Sequence, residues 1–194
     1  MSPSPAKKRL LFWKIAIPAG AALLYWLGTV LYNPPTMHTL AESGSGFSVQ
    51  MPCKPQSKSS TQPGDLGPVR QTDYFCESGG VSYVAGFADL PHDLVAPLVK
   101  AQNTEQIFER HRDHMLARAN AKLLNERSLA QGPYGGRSYE MLVQQGKQKH
   151  RLRIDAYLVG ERLYLQNFVR PEPPSYNQEL YSNRFAESFR LTPR

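Results

Sequence analysis

Acidic residues are missing from the first 32 positions of this 194-residue chain. Cysteine is scarce, with Cys53 and Cys76 the only two. That excludes a densely disulfide-bonded scaffold, and without a close C-x-x-C pair it excludes a cysteine-built zinc site. No G-x-S-x-G elbow, H-E-x-x-H helix, Walker A loop or G-x-G-x-x-G strand–helix turn occurs. The chain therefore lacks the short motifs of common hydrolases, metalloproteases and nucleotide binders. It has no internal repeat. Hydrophobic residues make up 41% and charged residues 20%, which excludes a collagen-like or wholly disordered chain.

The formal net charge is +7, a value that raises nucleic-acid binding. Its distribution speaks against that partner. Lys7, Lys8, Arg9 and Lys14 carry four of the charges, leaving 19 basic and 16 acidic residues, a net of +3, after position 32. Residues 10–32 read LLFWKIAIPAGAALLYWLGTVLY, with Lys14 the only charge. Eighteen helical residues rise about 27 Å, close to the thickness of a hydrocarbon core. The expectation is a basic cytoplasmic tail over 1–9 and a transmembrane signal-anchor helix over 10–32. Lys7, Lys8, Arg9 and Lys14 orient that helix with its N-terminus inside. A cleaved signal peptide is the rival reading, with Thr39-Leu40-Ala41 as a weak cleavage candidate.

Everything after Tyr32 is then extracytoplasmic, where a Cys53–Cys76 disulfide is permitted. Two unpaired buried thiols are the alternative. Residues 33–46, with Pro34-Pro35 and the Glu42-Ser-Gly-Ser-Gly46 run, are expected to be a linker. The domain is expected over 47–194.

Within it, Phe47, Val49 and Met51 alternate as a short strand, and 53–68 is expected to be a loop. Val69 to Glu77 and Val81 to Phe87 flank a Ser78-Gly79-Gly80 turn as a hairpin. Residues 92–125 are helical in character, with Asn103 and Gln106 resembling a capping box and Pro97 splitting off the first part. Ser128–Gln131, the Tyr139–Val143 run, Leu152–Leu158 and Arg162–Arg170 are expected strands. Turns fall at Gly132–Gly136, Gln145–Lys147 and Gly160-Glu161. Ser175 to Phe189 closes the chain as a helix with Leu180, Tyr181, Phe185 and Phe189 on its apolar face. Meander-like hairpins with helices that must bury one face give an α+β class with an antiparallel sheet.

Four stretches occur in a telling order: Phe47-Ser-Val-Gln-Met-Pro52, Gly132-Pro-Tyr-Gly-Gly-Arg-Ser-Tyr-Glu140, Leu158-Val-Gly-Glu-Arg-Leu-Tyr164 and Arg184-Phe-Ala-Glu-Ser-Phe-Arg-Leu191. Together they resemble the PsbP-like group of small α+β domains, over roughly residues 46–191. The resemblance implies an antiparallel β-sheet of about 6–7 strands sandwiched by helices, and it implies no shared catalytic machinery or cofactor. A cysteine at position 53, with Cys76 near the end of the next strand, fits a disulfide between neighbouring strands.

Candidate sites are few. Lys147, Lys149, Arg151 and Arg153, with His150, Arg162 and Arg170 nearby, form a basic cluster that suits anionic headgroups or an acidic partner. Protection of a sheet edge is the simpler reading. His111 and His114 have metal-compatible spacing on a helix, but Arg110 and Arg112 disfavour a cation, so a solvated face is expected and no metal. The Gly132–Gly136 segment is expected to be a hairpin turn, although its backbone amides suit an anion. The function expected is a single-pass, membrane-anchored envelope module that is not an enzyme and uses no cofactor. Its partners would be the bilayer and an envelope protein. A small-ligand or lipid pocket between sheet and helix is the alternative, and an unrecognised hydrolase is the third reading.

Overall fold

The computed structural model describes residues 34–64, 67–101 and 103–192. The expected tail, the expected membrane helix and its orienting cations Lys7, Lys8, Arg9 and Lys14 lie outside the described residues. Among the described residues, no helix is long and apolar enough to cross a membrane. The chain divides into two units, Met1–Pro35 and Thr36–Arg194.

A seven-stranded antiparallel sheet forms the centre of the second unit. In spatial order the strands are β3 (Gln56–Gly64), β4 (Gly67–Ser78), β5 (Val81–Asp89), β9 (Arg162–Pro171), β8 (Gln148–Val159), β7 (Tyr134–Gln145) and β6 (Ala121–Gln131). Three short strands, β1 (His38–Leu40), β2 (Phe47–Met51) and β10 (Arg190–Leu191), form a second sheet with β2 in the middle. Helices α1 (His92–Lys100) and α2 (Glu105–Ala119) connect β5 to β6, and α3 (Tyr176–Ser188) follows β9. The α+β class and the PsbP-like layering expected from sequence are present.

Alternation along the central strands builds two cores, because successive side chains point to opposite faces. Leu163 and Leu165 join Tyr139, Met141, Leu152 and Ile154 beneath Ile107 and Phe108 of α2. Tyr164 and Phe168 face the other way, joining Tyr83, Phe47, Phe185 and Phe189 under α3 and the small sheet. Phe47 stacks on Phe189 at 5.1 Å and meets Tyr74 and Tyr164 edge-on. Its burial explains why β2 is docked rather than free.

The expected linker over 33–46 is largely part of the domain. β1 pairs with β2 through His38↔Met51 and Leu40↔Val49, and Leu40 is buried. The Glu42–Gly46 run is pinned rather than flexible. Ser45 Oγ donates to the Glu42 carbonyl at 2.7 Å, and Tyr74 donates its hydroxyl to Glu42 Oε2 at 2.8 Å. Burial and the Glu42 carboxylate push the Tyr74 hydroxyl up to about 12.

The expected loop over 53–68 contains β3, which pairs with β4 from Gln56↔Phe75 to Gly64↔Gly67. A Ser- and Thr-rich edge strand has no apolar face, so alternation gives no signal there. The helix expected to reach residue 125 ends at Ala119. Asn120 adopts φ 46°, ψ 49°, a left-handed conformation that asparagine tolerates and helices use to stop. In the Lys122-Leu123-Leu124 run, a good helix former by composition, Lys122 and Leu123 pair with β7 instead and Leu124 falls at a shift in register. The expected Asn103–Gln106 capping box does not form. Thr104 occupies the cap position without a side-chain bond. At α3 the reciprocal box is complete, with Ser175 Oγ accepting from Gln178 N and Gln178 Oε1 accepting from Ser175 N.

Candidate functional site

Cys53 follows β2 and Cys76 lies in β4, so their disulfide ties the small sheet to the large one, with Cα atoms 5.9 Å apart. It closes a separation of 23 residues.

The basic cluster expected from Lys147 to Arg153 is divided by the sheet. Arg151, Arg153 and Asp155 share the face of β8 that carries Tyr157. Arg151 is held by two carboxylates. Its Nε donates to Glu172 Oε2 at 2.8 Å and its Nη1 to Glu140 Oε2 at 3.2 Å. Arg153 grips Asp155 through Nε at 3.1 Å and Nη2 at 2.9 Å, while Ser138 Oγ donates to the same carboxylate at 2.5 Å. Asp155 is only 4% exposed, so Arg153 neutralises a buried charge. Arg151 and Arg153 therefore act first as internal counter-ions, whereas Lys147 and Lys149 are exposed near the β7–β8 turn. Arg170 lies cross-strand from Arg151. It is 8% exposed, packs over Phe168 at 5.6 Å, and its Nε and Nη1 have no hydrogen-bond partner among the described residues.

Arg162 sits away from that cluster, at the other end of β9. Its guanidinium lies over the Phe87 ring at 4.1 Å, donates to Asp89 Oδ1 at 2.6 Å and to the Gly44 carbonyl at 3.2 Å. Two shallow clefts meet at this residue. One is lined by Ser59, Thr61, Arg70, Thr72 and Asp89, the other by Glu42, Gly46, Val159, Tyr164 and Thr192. Hydroxyls and charged groups dominate the first, so it offers hydrogen bonds and not an acyl-chain pocket. Gly46, at φ 77°, closes the second against Tyr164, and a Cβ there would collide with the tyrosine hydroxyl.

The helical histidines separate. His114 is exposed, but His111 does not lie on a solvated face as expected. Its ring is tilted against Tyr139 at 6.3 Å and its Nδ1 is sealed from solvent without a hydrogen-bond partner among the described residues. Burial, with His114 as a second cause, lowers its pKa to about 4. Among the described residues, no group of three or more His, Cys, Asp or Glu side chains is placed to hold a metal. Gly132 opens the β6–β7 turn at φ 60°. Sequence reasoning missed the Ser138–Asp155–Arg153 knot, since only the register of β7 against β8 brings Ser138 opposite Asp155.

The solution structure of cyanobacterial PsbP (CyanoP) from Synechocystis sp. PCC 6803 superposes with a TM-score of 0.52 at 11% identity, covering 82% of this chain and 94% of that one. The fold is PsbP-like. LpqN of Mycobacterium tuberculosis, described as involved in cell envelope biogenesis, gives a TM-score of 0.47 at 8% identity, covering 83% of this chain and 93% of that one. PA94 from Pseudomonas aeruginosa, a putative regulator by its description, gives 0.32 at 11% identity, covering 78% of this chain and 92% of that one. No family model matches the chain, and no curated protein matches it.

Proposed function

We propose that the chain is a single-pass, membrane-anchored accessory module of the cell envelope, presenting a non-enzymatic PsbP-like domain on the extracytoplasmic side. The observation that carries the reading is the Cys53–Cys76 disulfide. A bond of this kind persists in oxidising compartments and is rare in the cytosol. It agrees with the topology read from residues 1–32, where a basic cluster precedes an apolar run. The polar side chains around β8 and Arg162 are largely engaged in holding the fold, which suits a domain that binds by its surface. Its partner in this reading is an envelope protein.

Alkaline-carbonate extraction and thiol labelling of the intact chain test this. The expected result is a protein retained in the membrane fraction whose cysteines label only after reduction. Release by carbonate, or labelling without reductant, overturns the reading. Gentle detergent extraction followed by identification of co-purifying proteins then names the envelope partner.

A second reading, a small-ligand module, rests on the clefts meeting at Arg162. Their lining favours a hydrophilic anion over a lipid chain. Chemical-shift changes confined to Arg70, Phe87 and Arg162 on titration with inorganic phosphate would favour it.

A further inference from the structure

We propose that the part of the central sheet beyond α3, whose outermost cations are exposed, is a docking surface for the phosphate headgroups of an anionic bilayer. The inference rests on the anchored topology proposed above and deepens it by naming the face and its partner. Helix α3 packs over β2, β5 and β9. The same face continues across β8, β7 and β6, and the register shows what it carries. One row runs Arg170, Arg151, Leu142, Lys122, the next Phe168, Arg153, Glu140, Asn125, and the next Gln166, Asp155, Ser138, Arg127. Lys149 lies beyond the first row, opposite Gln144.

This face holds six cations, Lys122, Arg127, Lys149, Arg151, Arg153 and Arg170, against the carboxylates of Glu140, Asp155 and Glu172, a net of +3. The three carboxylates are consumed by Arg151 and Arg153. Lys122, Arg127 and Lys149 are exposed and have no ion-pair partner among the described residues. Arg170 on β9 is nine-tenths buried over Phe168 and adds a cation with no carboxylate partner among the described residues. The cationic groups lie on β9, β8 and β6, about 14 Å across the ladder, instead of converging on one point. A spread, nearly planar set of cations complements a sheet of headgroups better than a single ion.

The chain's own path selects a bilayer as the occupant. From Tyr32, where the apolar run ends, to His38, where β1 begins, there are six residue steps. Fully extended, these span at most about 20 Å. A domain tethered so closely meets headgroups far more often than any diffusing polyanion.

The test uses the full chain in lipid nanodiscs, either pure phosphatidylcholine or the same lipid with phosphatidylglycerol. Hydrogen exchange is followed over 121–129 and 147–155. Exchange in both segments is expected to slow in the anionic discs only, and the slowing should fade as salt shortens the screening length. Each cation near an anionic surface shifts the docked population roughly fivefold. The double variant Lys122→Glu, Arg127→Glu should therefore cut that population by at least about 25-fold. Neither residue is in an ion pair among the described residues, so the variant's unfolding midpoint should match the parent and show that the fold is intact. Equal exchange in the two lipids, with the chain retained in the disc, overturns the face and leaves the anchor standing. Slowing that the double variant does not reduce also overturns it, as does protection produced by an acidic polypeptide and not by lipid. A chain that alkaline carbonate strips from the bilayer overturns the anchor and, with it, the bilayer as occupant.

Discussion

Asp155 shows how a residue that looks ordinary in sequence comes to govern its neighbours. Its carboxylate is buried, and Arg153 and Ser138 together satisfy it. Arg153→Met would leave that charge uncompensated, and we expect a loss of about 3 kcal/mol in urea unfolding. Adding Asp155→Leu to that variant should recover most of the loss, because the buried charge goes with its counter-ion. Charge reversal at Arg151 or Arg153 would consequently report on folding before it reported on binding. His111 has the opposite problem, a base held neutral by burial. Its folded pKa of about 4 lies below the ordinary histidine value. Its contribution to stability is complete above pH 6.5 and is lost as pH falls toward 4, by at most about 3 kcal/mol. A His111→Asn variant should therefore show a smaller drop in unfolding free energy between pH 7 and pH 4.5 than the parent. Neither residue's role was legible from sequence. Asp155 required knowledge of the β7–β8 register, and His111 needed the rotation of α2 on the sheet.

At the scale of elements, legibility followed hydrophobic contrast. β8 alternates strongly and falls where the periodicity places it, while β9, buried on both faces from Leu163 to Gln166, is bounded by the Gly160-Glu161 turn and Pro171. Helix α3 is also where its capping residues and its Tyr181 and Phe185 put it. Removing the cap by Ser175→Ala should cost about 1 kcal/mol, read as a lower thermal midpoint with faster amide exchange confined to the first turn of α3. β3 escaped notice because Gln56 to Thr61 is polar on both faces, and only its pairing with β4 makes it a strand. The first half of β6 was hidden for a different reason. Lys122, Leu123 and Leu124 favour a helix locally, and the Asn120 left-handed stop followed by pairing with β7 overrides that preference. The loss of the Asn103 box has the same origin, since α2 begins where it meets β7. Glu105 is bound there by Arg137, with Nε to Oε1 at 2.9 Å.

On the scale of the whole molecule, the disulfide is the covalent link between two separately hydrogen-bonded sheets. Closing 23 residues constrains the unfolded chain by about 3 kcal/mol. Replacing both cysteines with serine should lower the denaturation midpoint accordingly, and reductant should then have no further effect. The fold class and its PsbP-like resemblance were legible in the order of the turns and strands. The start of the domain was not, because three residues of β1 are too few to show a period. That short strand also bears on how the protein matures. The weak cleavage candidate Thr39-Leu40-Ala41 overlaps β1, and Leu40 belongs to the core. Once β1 has paired, a peptidase would have to pull a core leucine out to reach the bond. A cut made earlier would yield a chain whose β2 has lost one of its two neighbours. Maturation at this site would thus be a race between processing and folding, and folding protects the uncut chain.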